Sequence, residues 1–584
     1  MTVAASPGAS TSPLIKALAV CRGGFSAVLV FSLFINVLML TAPLYMMQVF
    51  DRVLSSRSGD TLLMLLLIAS FALLVMGALD AVRGFLMVRM SGWLDGHLSG
   101  QVLTETVSGQ LRRGAPPSVQ GLRDLSNLRQ FLTGPGMFPI LDAPWAPVFI
   151  IVVFMLHPWL GVLSLVGAIL LFILAIANEV VTRGPLMRAN GAANAALADA
   201  EAAVRNADVV EAMGMMPRVI SRWHGRNAEA TALQTHASNR STAITATSKF
   251  LRMFLQIAVL TLGAWLVLGG QMSPGGMIAG SILMARALAP VEQAIGSWKS
   301  AIAARQSYDR LQAQLSGYKP RGTTMPLPTP KGVLDVSGVI FAHAQARDPL
   351  LRNVSFRLAP GESLGLIGPT ASGKTTLARL LVGNLVPRAG TVRLDGMDVS
   401  QWEHDDLGKH VGYLPQDVEL FAGTIRENIA RMDEGDPETV VKAAQLAGVH
   451  AMVLGMPQGY DTPIGTAGMT LSGGQRQRIG LARALYGAPR FVVLDEPNAS
   501  LDHEGEAALA NVLANLHKEG ITTVVIAHRP TVIQSVDKIL VLKDGAVMMF
   551  GPRDAVIAKL REQQEAAQGG AQVAASAPPT GGAS

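Results

Sequence analysis

The side chains best suited to chemistry lie in the second half of the chain, in two segments that fit phosphate transfer. In GPTASGKT (residues 368–375), glycines let backbone N–H groups approach phosphates, and the helix predicted to follow offers its positive N-terminus. Lys374 is predicted to reach the β- and γ-phosphates, and the Thr375 hydroxyl to ligate Mg²⁺. The flanking runs SLGLIG and TTLARLLVGNL supply the strand and the helix that this loop requires.

The second segment, FVVLDEP (residues 491–497), predicts a buried apolar strand with two carboxylates at its end. We expect Asp495 to hold Mg²⁺ and Glu496, free of the metal, to act as the general base that polarises the attacking water. Two adjacent acids can also form only a solvated turn, but the phosphate loop makes the catalytic interpretation the better one.

The elements around these segments predict a P-loop α/β domain over residues 333–565, because short β-branched runs alternate with helical stretches. A Pro-rich linker at 316–332 precedes it, and a low-complexity tail at 566–584, predicted to be disordered, follows.

The first half is different in composition, and it predicts a membrane domain at residues 23–315 behind a cytoplasmic segment at 1–22. The chain of 584 residues is 49% hydrophobic and only 15% charged, which is too apolar for an ordinary cytosolic enzyme. Its one cysteine, Cys21, excludes a disulfide within the chain and a cysteine-based metal cluster. The basic pI near 9.5 does not indicate nucleic-acid binding, since the arginines cluster in two loops beside apolar segments.

Six membrane-spanning helices are predicted from uncharged apolar runs. The run at 143–178 is long enough for two spans, and His157-Pro158 breaks it into a hairpin. The predicted spans cover residues 23–50, 61–79, two within 143–178, 253–270 and 277–295. The N-terminus lacks the short apolar core and cleavage site of a signal peptide.

The two long connections, 82–135 and 180–249, are rich in arginine, which places them and both termini in the cytoplasm. Their Ala, Leu, Glu and Arg content predicts helices that continue from the membrane. Short helices at 123–131 and 204–213 are predicted to touch the P-loop domain. A loosely structured loop is the alternative.

Arg286 stands near the middle of the sixth predicted span, where an unpaired charge is costly. It either lines a polar pathway or forms a structural ion pair with Glu292 or Asp142. The sequence favours neither interpretation.

A third segment, LSGGQ (residues 471–475), lies between the phosphate loop and the paired acids, and the three in this order resemble the ATP-binding cassette (ABC) ATPases. The resemblance implies ATP as ligand, held by the phosphate loop, with a sensing and metal-contacting role for Gln416 in VGYLPQD. It implies that the signature residues bind the γ-phosphate held by another subunit. It also implies a role for Asp502 in joining the two sites, and for His528 as the switch that hydrogen-bonds the γ-phosphate. The expected ATP-binding residues are Gly368, Pro369, Thr370, Ala371, Ser372, Gly373, Lys374, Thr375, Thr376, Ser472, Gly473, Gly474, Gln475, Asp502 and His343. The expected catalytic residues are Glu496, His528, Lys374 and Gln416. The expected metal ligands are Thr375, Gln416 and Asp495.

Two positions depart from the wider exporter pattern. The segment VIFAHAQ leaves His343 or Phe341 where an aromatic ring usually stacks on adenine. IGTAGMT has Thr466 where many exporters carry Glu, which puts in doubt charge-based coupling to the membrane loops there.

The membrane half is similar to the type I secretion exporters of the PrtD family. The motifs are LYMMQVFDRVLSSRS, LRDLSNLRQFLTGPGMFPILDAPWAPVF, HPWLG and GGMIAGSILMARALAPVEQAIGSW, and the resemblance spans roughly residues 20–565. It implies ATP-driven export, across the inner membrane, of an unfolded protein with an uncleaved C-terminal signal. It further implies a periplasmic adaptor protein and a TolC-type outer-membrane channel as partners. The short segment before the first span leaves no room for a leader-cleaving peptidase domain.

Two other functions stay open: export of a lipid or other amphiphile on the same scaffold, and a non-transporting regulatory or DNA-associated ATPase. The six predicted spans argue against DNA work, and Lys374, Glu496 and His528 argue against an inactive enzyme. With one signature and one phosphate loop, the chain is predicted to be half of a transporter that pairs with a second copy of itself.

Overall fold

The computed structural model describes residues 12–113, 119–134, 136–316, 328–343, 346, 348–465, 468, 470–498, 503–527 and 529–563, without the side chains of 112, 113 and 503–506. The chain divides into two compact units, Met1–Val107 with Pro117–Lys319, and Ser108–Pro116 with Pro320–Ser584. The predicted tail, most of the linker, Thr466, Asp502 and His528 lie outside the described residues.

The first unit is built of helices. Within the described residues, six segments are long and apolar enough to cross a membrane, as the sequence predicted: Arg22–Ser56, Gly59–Leu111, Phe138–Leu156, Pro158–Arg205, Met216–Leu268 and Pro274–Leu315. The helices are α1 Pro13–Val20, α2 Arg22–Leu38, α3 Thr41–Gln48, α4 Leu54–Ser56, α5 Gly59–Arg113, α6 Gln120–Thr133, α7 Phe138–Asp142, α8 Ala146–Leu156, α9 Pro158–Arg205, α10 Ala207–Ala212, α11 Met216–Leu268 and α12 Pro274–Leu315, with a π-helical turn at Val49–Val53 and a 3₁₀ turn at Ala143–Trp145.

The hairpin predicted at His157-Pro158 is confirmed. His157 adopts an extended conformation (φ −163°, ψ 133°), and its ring Nδ1 accepts a hydrogen bond from the Trp159 N–H at 3.3 Å. Pro158 is the first residue of α9, where its missing N–H costs nothing. The chain therefore leaves α8 and enters α9 without a loop.

The long arginine-rich connections are helical, which is also confirmed, because α5, α9 and α11 continue far beyond the apolar runs. The short helices expected at 123–131 and 204–213 correspond to α6 and α10. Ion pairs fix α6 to its neighbours: Arg123 to Glu201 of α9 at 3.1 Å, and Arg129 to Asp95 of α5 at 3.1 Å.

Neither predicted partner of Arg286 is available. Glu292 is paired with Arg252 at 2.7 Å, and Asp142 with Arg83 at 3.0 Å. Arg286 itself is exposed, and no ion pair is recorded for it within the described residues.

The Arg83 pair is the centre of a polar network between helices. Arg83 is 6% exposed, its Nη1 donates to Asp142 Oδ1 and to Ser32 Oγ at 3.0 Å, and its Nη2 donates to Asp80 Oδ1 at 2.7 Å. Its guanidinium also lies 4.5 Å from the centre of the Phe138 ring. One buried cation thus holds α2, α5 and α7 together.

The second unit contains two sheets and their covering helices. A four-stranded sheet has the order β2-β1-β4-β5, and a six-stranded sheet has the order β10-β9-β3-β8-β7-β6. The strands are β1 Leu334–Phe341, β2 Leu351–Leu358, β3 Ser363–Ile367, β4 Ala389–Leu394, β5 Met397–Asp398, β6 Val411–Leu414, β7 Phe491–Asp495, β8 Thr522–Ile526, β9 Lys538–Lys543 and β10 Ala546–Pro552. The helices are α13 Lys374–Leu381, α14 His404–His410, α15 Ile425–Ile429, α16 Pro437–Leu446, α17 His450–Leu454, α18 Gly473–Leu485, α19 His503–Lys518, α20 Pro530–Ile533 and α21 at residues 553–563.

Four neighbouring strands of the larger sheet, β3, β8, β7 and β6, are parallel. Parallel strands place their carboxyl ends at one edge, where open α/β sheets bind ligands. The phosphate loop follows β3, the paired acids end β7, and Gln416 follows β6. The topology therefore brings the predicted chemistry to one edge of one sheet.

Candidate nucleotide site

The phosphate loop connects β3 to α13 through two glycines that no larger residue could replace. A Cβ on Gly368 would lie 2.1 Å from the Leu542 carbonyl oxygen, and one on Gly373, at φ +99°, would lie 2.7 Å from Leu351 Cδ2. Between them Ala371 has a left-handed conformation (φ +65°). These constraints define the loop that leads into the start of α13, whose N–H groups would be available to an anion.

Lys374 spans this loop, because its Nζ donates to the carbonyl oxygens of Gly368 and Pro369, each at 2.9 Å. Burial lowers the pKa of Lys374, while the nearby carboxylates of Glu496 and Asp495 oppose that shift. A buried ammonium that bonds only neutral carbonyls is suited to a polyphosphate, which would supply the missing negative charge.

Asp495 is completely buried at the end of β7. Burial raises the pKa of Asp495, and the nearby Thr375 hydroxyl opposes that shift in part. Thr375 does not reach hydrogen-bond geometry, and both carboxylate oxygens lack a hydrogen-bond partner among the described residues. A buried carboxylate without donors is costly unless a cation is present. With the adjacent Thr375 hydroxyl, these oxygens fit a hard divalent ion such as Mg²⁺.

Glu496 has a left-handed backbone (φ +50°), which is uncommon for a residue with a long side chain. Three contacts hold it there: its N–H donates to the Ile526 carbonyl at 3.0 Å, its carbonyl accepts from Gln477 Nε2 at 2.9 Å, and its carboxylate accepts from Gln416 Nε2 at 3.0 Å. Strained residues held by several contacts are characteristic of functional sites.

Gln477 is a functional contact that the sequence prediction missed. Its side chain is buried at 4% exposure on α18, among apolar neighbours such as Ile479 and Leu481. A glutamine at a position of a helix that otherwise faces the core was the signal available in the sequence. Through Gln477, the helix that begins at the LSGGQ signature is hydrogen-bonded to the backbone carbonyl of Glu496.

The signature itself is placed differently from the other predicted residues. Ser472 is the N-cap of α18: its Oγ accepts from the Gln475 N–H at 3.2 Å, and its N–H donates to Gln475 Oε1 at 2.9 Å. Ser472 and Gly473 are exposed. The contacts recorded for the described residues join Lys374, Asp495, Glu496 and Gln416, but connect Ser472 to none of them. The N-terminus of α18 is thus open to a ligand from outside.

The two rings considered for adenine also differ. Phe341 is 7% exposed and belongs to the core, whereas His343 is exposed and packs edge-on against it, with ring centres 5.3 Å apart. Only His343 presents a ring at the surface there.

A phosphate loop, paired acids and a signature helix on a P-loop sheet, joined in one chain to six segments of membrane-spanning length in the part of the chain that the structure describes, define an ABC exporter. The ABC transporter family matches residues 351–499, and the ABC transporter transmembrane region matches residues 25–291. A solved structure of a bacterial Atm1-family ABC exporter with ATP bound superposes with a TM-score of 0.79 at 22% identity, covering 96% of this chain and 100% of that one, which supports the fold.

Curated relatives narrow the class. The type I secretion system ATP-binding protein PrsD of Rhizobium meliloti is 43% identical over 98% of this chain and 99% of its own length. The cyclolysin secretion/processing ATP-binding protein CyaB of Bordetella pertussis is 31% identical over 93% of this chain and 77% of its own length. This chain belongs to the ABC exporter family of type I secretion ATP-binding proteins. It is a membrane protein that binds nucleotide and couples ATP hydrolysis to transport.

Proposed function

We propose that this protein is the inner-membrane exporter of a type I secretion system and moves an unfolded polypeptide with an uncleaved C-terminal signal out of the cytoplasm. The observation that carries the proposal is the near full-length similarity to PrsD, a type I secretion ATP-binding protein. We further propose that residues 23–315 form the membrane domain and residues 333–565 the cytoplasmic ATPase, as composition and the positive-inside bias predict.

In the proposed hydrolysis step, Glu496 would take a proton from the water that attacks the γ-phosphorus, while the bond from the γ-phosphorus to the bridging oxygen breaks and ADP leaves. Gln416 would orient the Glu496 carboxylate through the 3.0 Å hydrogen bond. Lys374 neutralises the β- and γ-phosphates, and backbone N–H groups of residues 368–376 cradle them. His528 is proposed to hydrogen-bond the γ-phosphate, Asp502 to connect the two sites, and His343 to stack on adenine.

Mg²⁺ is proposed to be held by Thr375, Asp495 and Gln416, where it would neutralise charge on the phosphates. The buried oxygens of Asp495, without donors among the described residues, support this assignment. Because Gln416 already contacts Glu496, it links the proposed metal site to the base.

A homodimer is proposed because the exposed signature is not in contact with the phosphate loop of its own chain in the described structure. Ser472, Gly473, Gly474 and Gln475 of one chain would bind the γ-phosphate held by Lys374 of the other. The only native cysteine, Cys21, can be changed to serine, which permits single-cysteine variants. Mixed chains carrying Ser472→Cys or Thr370→Cys should then cross-link as dimers when ATP is present. If a disulfide formed efficiently only within single chains that carry both cysteines, and not between two chains that carry one each, a nucleotide site shared by two chains would be contradicted.

The partners proposed for export are a periplasmic adaptor and a TolC-type outer-membrane channel. The test is reconstitution: cells that express this chain, those two partners and a candidate protein should release that protein, and removal of its C-terminal segment should stop release. ATP turnover that responds strongly to lipids and to no C-terminal peptide would favour export of an amphiphile instead.

A further inference from the structure

Two cavities that share Trp298 lie in the membrane unit, the first between α9, α11 and α12 and the second between α8, α9 and α12. The first, of about 450 Å³, is lined by hydroxyl groups of α11, by two lysines and by Trp298. The second, of about 530 Å³, is lined mainly by apolar side chains such as Ile150, Phe172 and Val291, together with Glu179, which is paired with Arg183, and again Trp298. Trp298 therefore stands at the junction of a cationic cavity and an apolar one.

The polar lining of the first cavity follows one face of α11. Ser238, Ser241, Thr242 and Thr245, followed by Lys249, have the spacing that aligns side chains on one side of a helix. Lys299 reaches the same cavity from α12. The indole N–H of Trp298 is buried and has no hydrogen-bond partner within the described residues. The two ammonium groups and the indole N–H are donors suited to an anion, whereas the Thr245 hydroxyl already donates to the Ser241 carbonyl oxygen at 2.8 Å.

The two lysines differ from the arginines around them. Arg183 is paired with Glu179 at 3.5 Å, and Arg252 lies 2.7 Å from Glu292 Oε2, although not with hydrogen-bond geometry. For Lys249 and Lys299 no ion pair is recorded among the described residues, so the first cavity keeps an uncompensated positive charge. A carboxylate is a complementary ligand for it.

The position along the helices is also informative. Lys249 precedes the apolar run that starts at residue 253, and Lys299 follows the run that ends at 295. Each therefore lies within about 6 Å of helix rise from the end of an apolar run. The cationic cavity is predicted to face the cytoplasmic boundary of the membrane, where a polypeptide from the cytoplasm would arrive.

We propose that these joined cavities bind an acidic amphipathic segment of the exported polypeptide, with its carboxylates on Lys249, Lys299 and the Trp298 N–H and its apolar side chains in the neighbouring cavity. The proposal rests on the proposed function of polypeptide export, and it names the chemistry of the segment and the residues that select it. A phospholipid or a second copy of this chain is the competing occupant.

The structure supplies well-matched variants for a test. A Cβ on Gly296, which lines the first cavity, meets no atom within 4 Å, so Gly296→Leu should fill the cavity without a clash. Gly225 on α11 also has free space around its Cβ and lies outside both cavities, so Gly225→Leu is its control. Lys249→Glu combined with Lys299→Glu reverses the charge, and Lys16→Glu, at an exposed position of α1, is the matched control.

The experiment uses the full-length protein in phosphatidylcholine nanodiscs, with fluorescent synthetic peptides built from Glu and Leu, from Lys and Leu, or from Glu and Ser. The wild type should bind the Glu–Leu peptide most tightly. The double charge reversal and Gly296→Leu should each weaken that binding about tenfold, and the two controls should not. Nucleotide binding by each variant verifies that it is folded.

Unchanged binding of the Glu–Leu peptide by the charge-reversed variant would overturn the proposal. The proposal would also be overturned if the charge-reversed variant lost co-purified anionic phospholipid but still bound the peptide, since a lipid would then occupy the cavities. It would equally be overturned if Gly296→Leu dissociated a dimer, since a second copy of the chain would then occupy them. The proposed function is tested separately: normal export by the charge-reversed variant would refute this site alone. Peptide binding by a wild type that exports no polypeptide would refute the export function and retain the site.

Discussion

The ATPase unit has local capping boxes, and the membrane unit has, besides the local caps of α9 and α12, a cap that comes from a residue distant in sequence. In the ATPase unit, Thr424 and Ser472 each begin a helix with a capping box, with Glu427 and Gln475 three residues on as the respective partners. In the membrane unit, the N-terminus of α12 is capped twice: by its own Ser273, whose Oγ accepts from Gly276 N–H, and by Asp51 of the π-helical turn. Local caps can be read from the sequence, whereas a cap from another helix cannot.

The same contrast separates the catalytic groups from the buried ion pairs. Lys374, Glu496 and Gln416 lie beside strand ends, so the parallel sheet alone brings them together. Arg83 meets Asp142 only because α5 and α7 pack side by side. The first set should govern reaction rate and the second should govern stability.

The largest effect is expected at the proposed base. Glu496→Gln should lower ATP turnover by about 10²–10⁴-fold, because the amide cannot accept the proton of the attacking water. ATP binding and melting temperature should stay near those of the wild type, since Gln416 and Gln477 still hold the residue in place. Steady-state turnover and nucleotide retention measure both quantities, with the exposed Glu519→Gln as the control. Near-normal turnover would refute the assignment.

The second effect concerns the network around Arg83. Arg83→Met removes the cation from Asp142 and leaves its largely buried carboxylate with the neutral donor Asn36 at 3.2 Å, which should cost about 3 kcal/mol of stability. Turnover per folded molecule should change little. Thermal unfolding in nanodiscs measures the loss, and Arg305→Met, from an exposed pair with Asp309 at 3.3 Å, should cost no more than about 0.5 kcal/mol. Equal losses in the two variants would show that burial does not determine the cost of losing an ion pair in the membrane unit.

Much of the ATPase site could be predicted from the sequence because its parts are local. Each motif carries its own turn chemistry and its own strand or helix, and the sheet order supplies the rest. The six spans were predictable for a similar reason, since length and apolar composition suffice. Gln477 was missed because its partner is a backbone carbonyl on a distant strand.

Arg286 shows the limit of sequence reasoning in the membrane unit. The sequence offered Glu292 and Asp142 as partners, and helix packing gives Glu292 to Arg252 and Asp142 to Arg83. Which arginine meets which acid depends on how the helices rotate against each other, and a hydrophobic pattern does not encode that rotation sharply. The ion pairs of this unit are therefore tertiary information.

A smaller effect is expected at the tertiary cap of α12. Asp51 Oδ2 accepts from Ser273 Oγ at 2.6 Å, and its Oδ1 accepts from the Gly275 N–H at 2.8 Å. Asp51→Ala should lower stability by about 0.5–2 kcal/mol, and Asp51→Asn by less, because an acceptor oxygen remains. Thermal unfolding of both variants, with Asp309→Ala as the exposed control, checks this order. Wild-type stability in Asp51→Ala would show that α12 does not depend on the distant cap.

The smallest effect is expected at a local cap in the ATPase unit. Asp436 begins α16, and hydrogen bonds from the Thr439 hydroxyl (2.6 Å) and N–H (2.9 Å) lower the pKa of its carboxyl below the ordinary 3.8. A lowered pKa means that the folded state favours the ionised acid, so this stabilisation is present above pH 3.8 and is lost as the pH falls through the folded pKa. Asp436→Asn should therefore increase the rate of hydrogen exchange of the α16 amides at neutral pH. This increase should be smaller than the one that Asp51→Ala causes in the first turn of α12. That difference from the wild type should close as the pH falls below 3.8, and a pH-independent difference would show that the charge of Asp436 adds nothing to the cap.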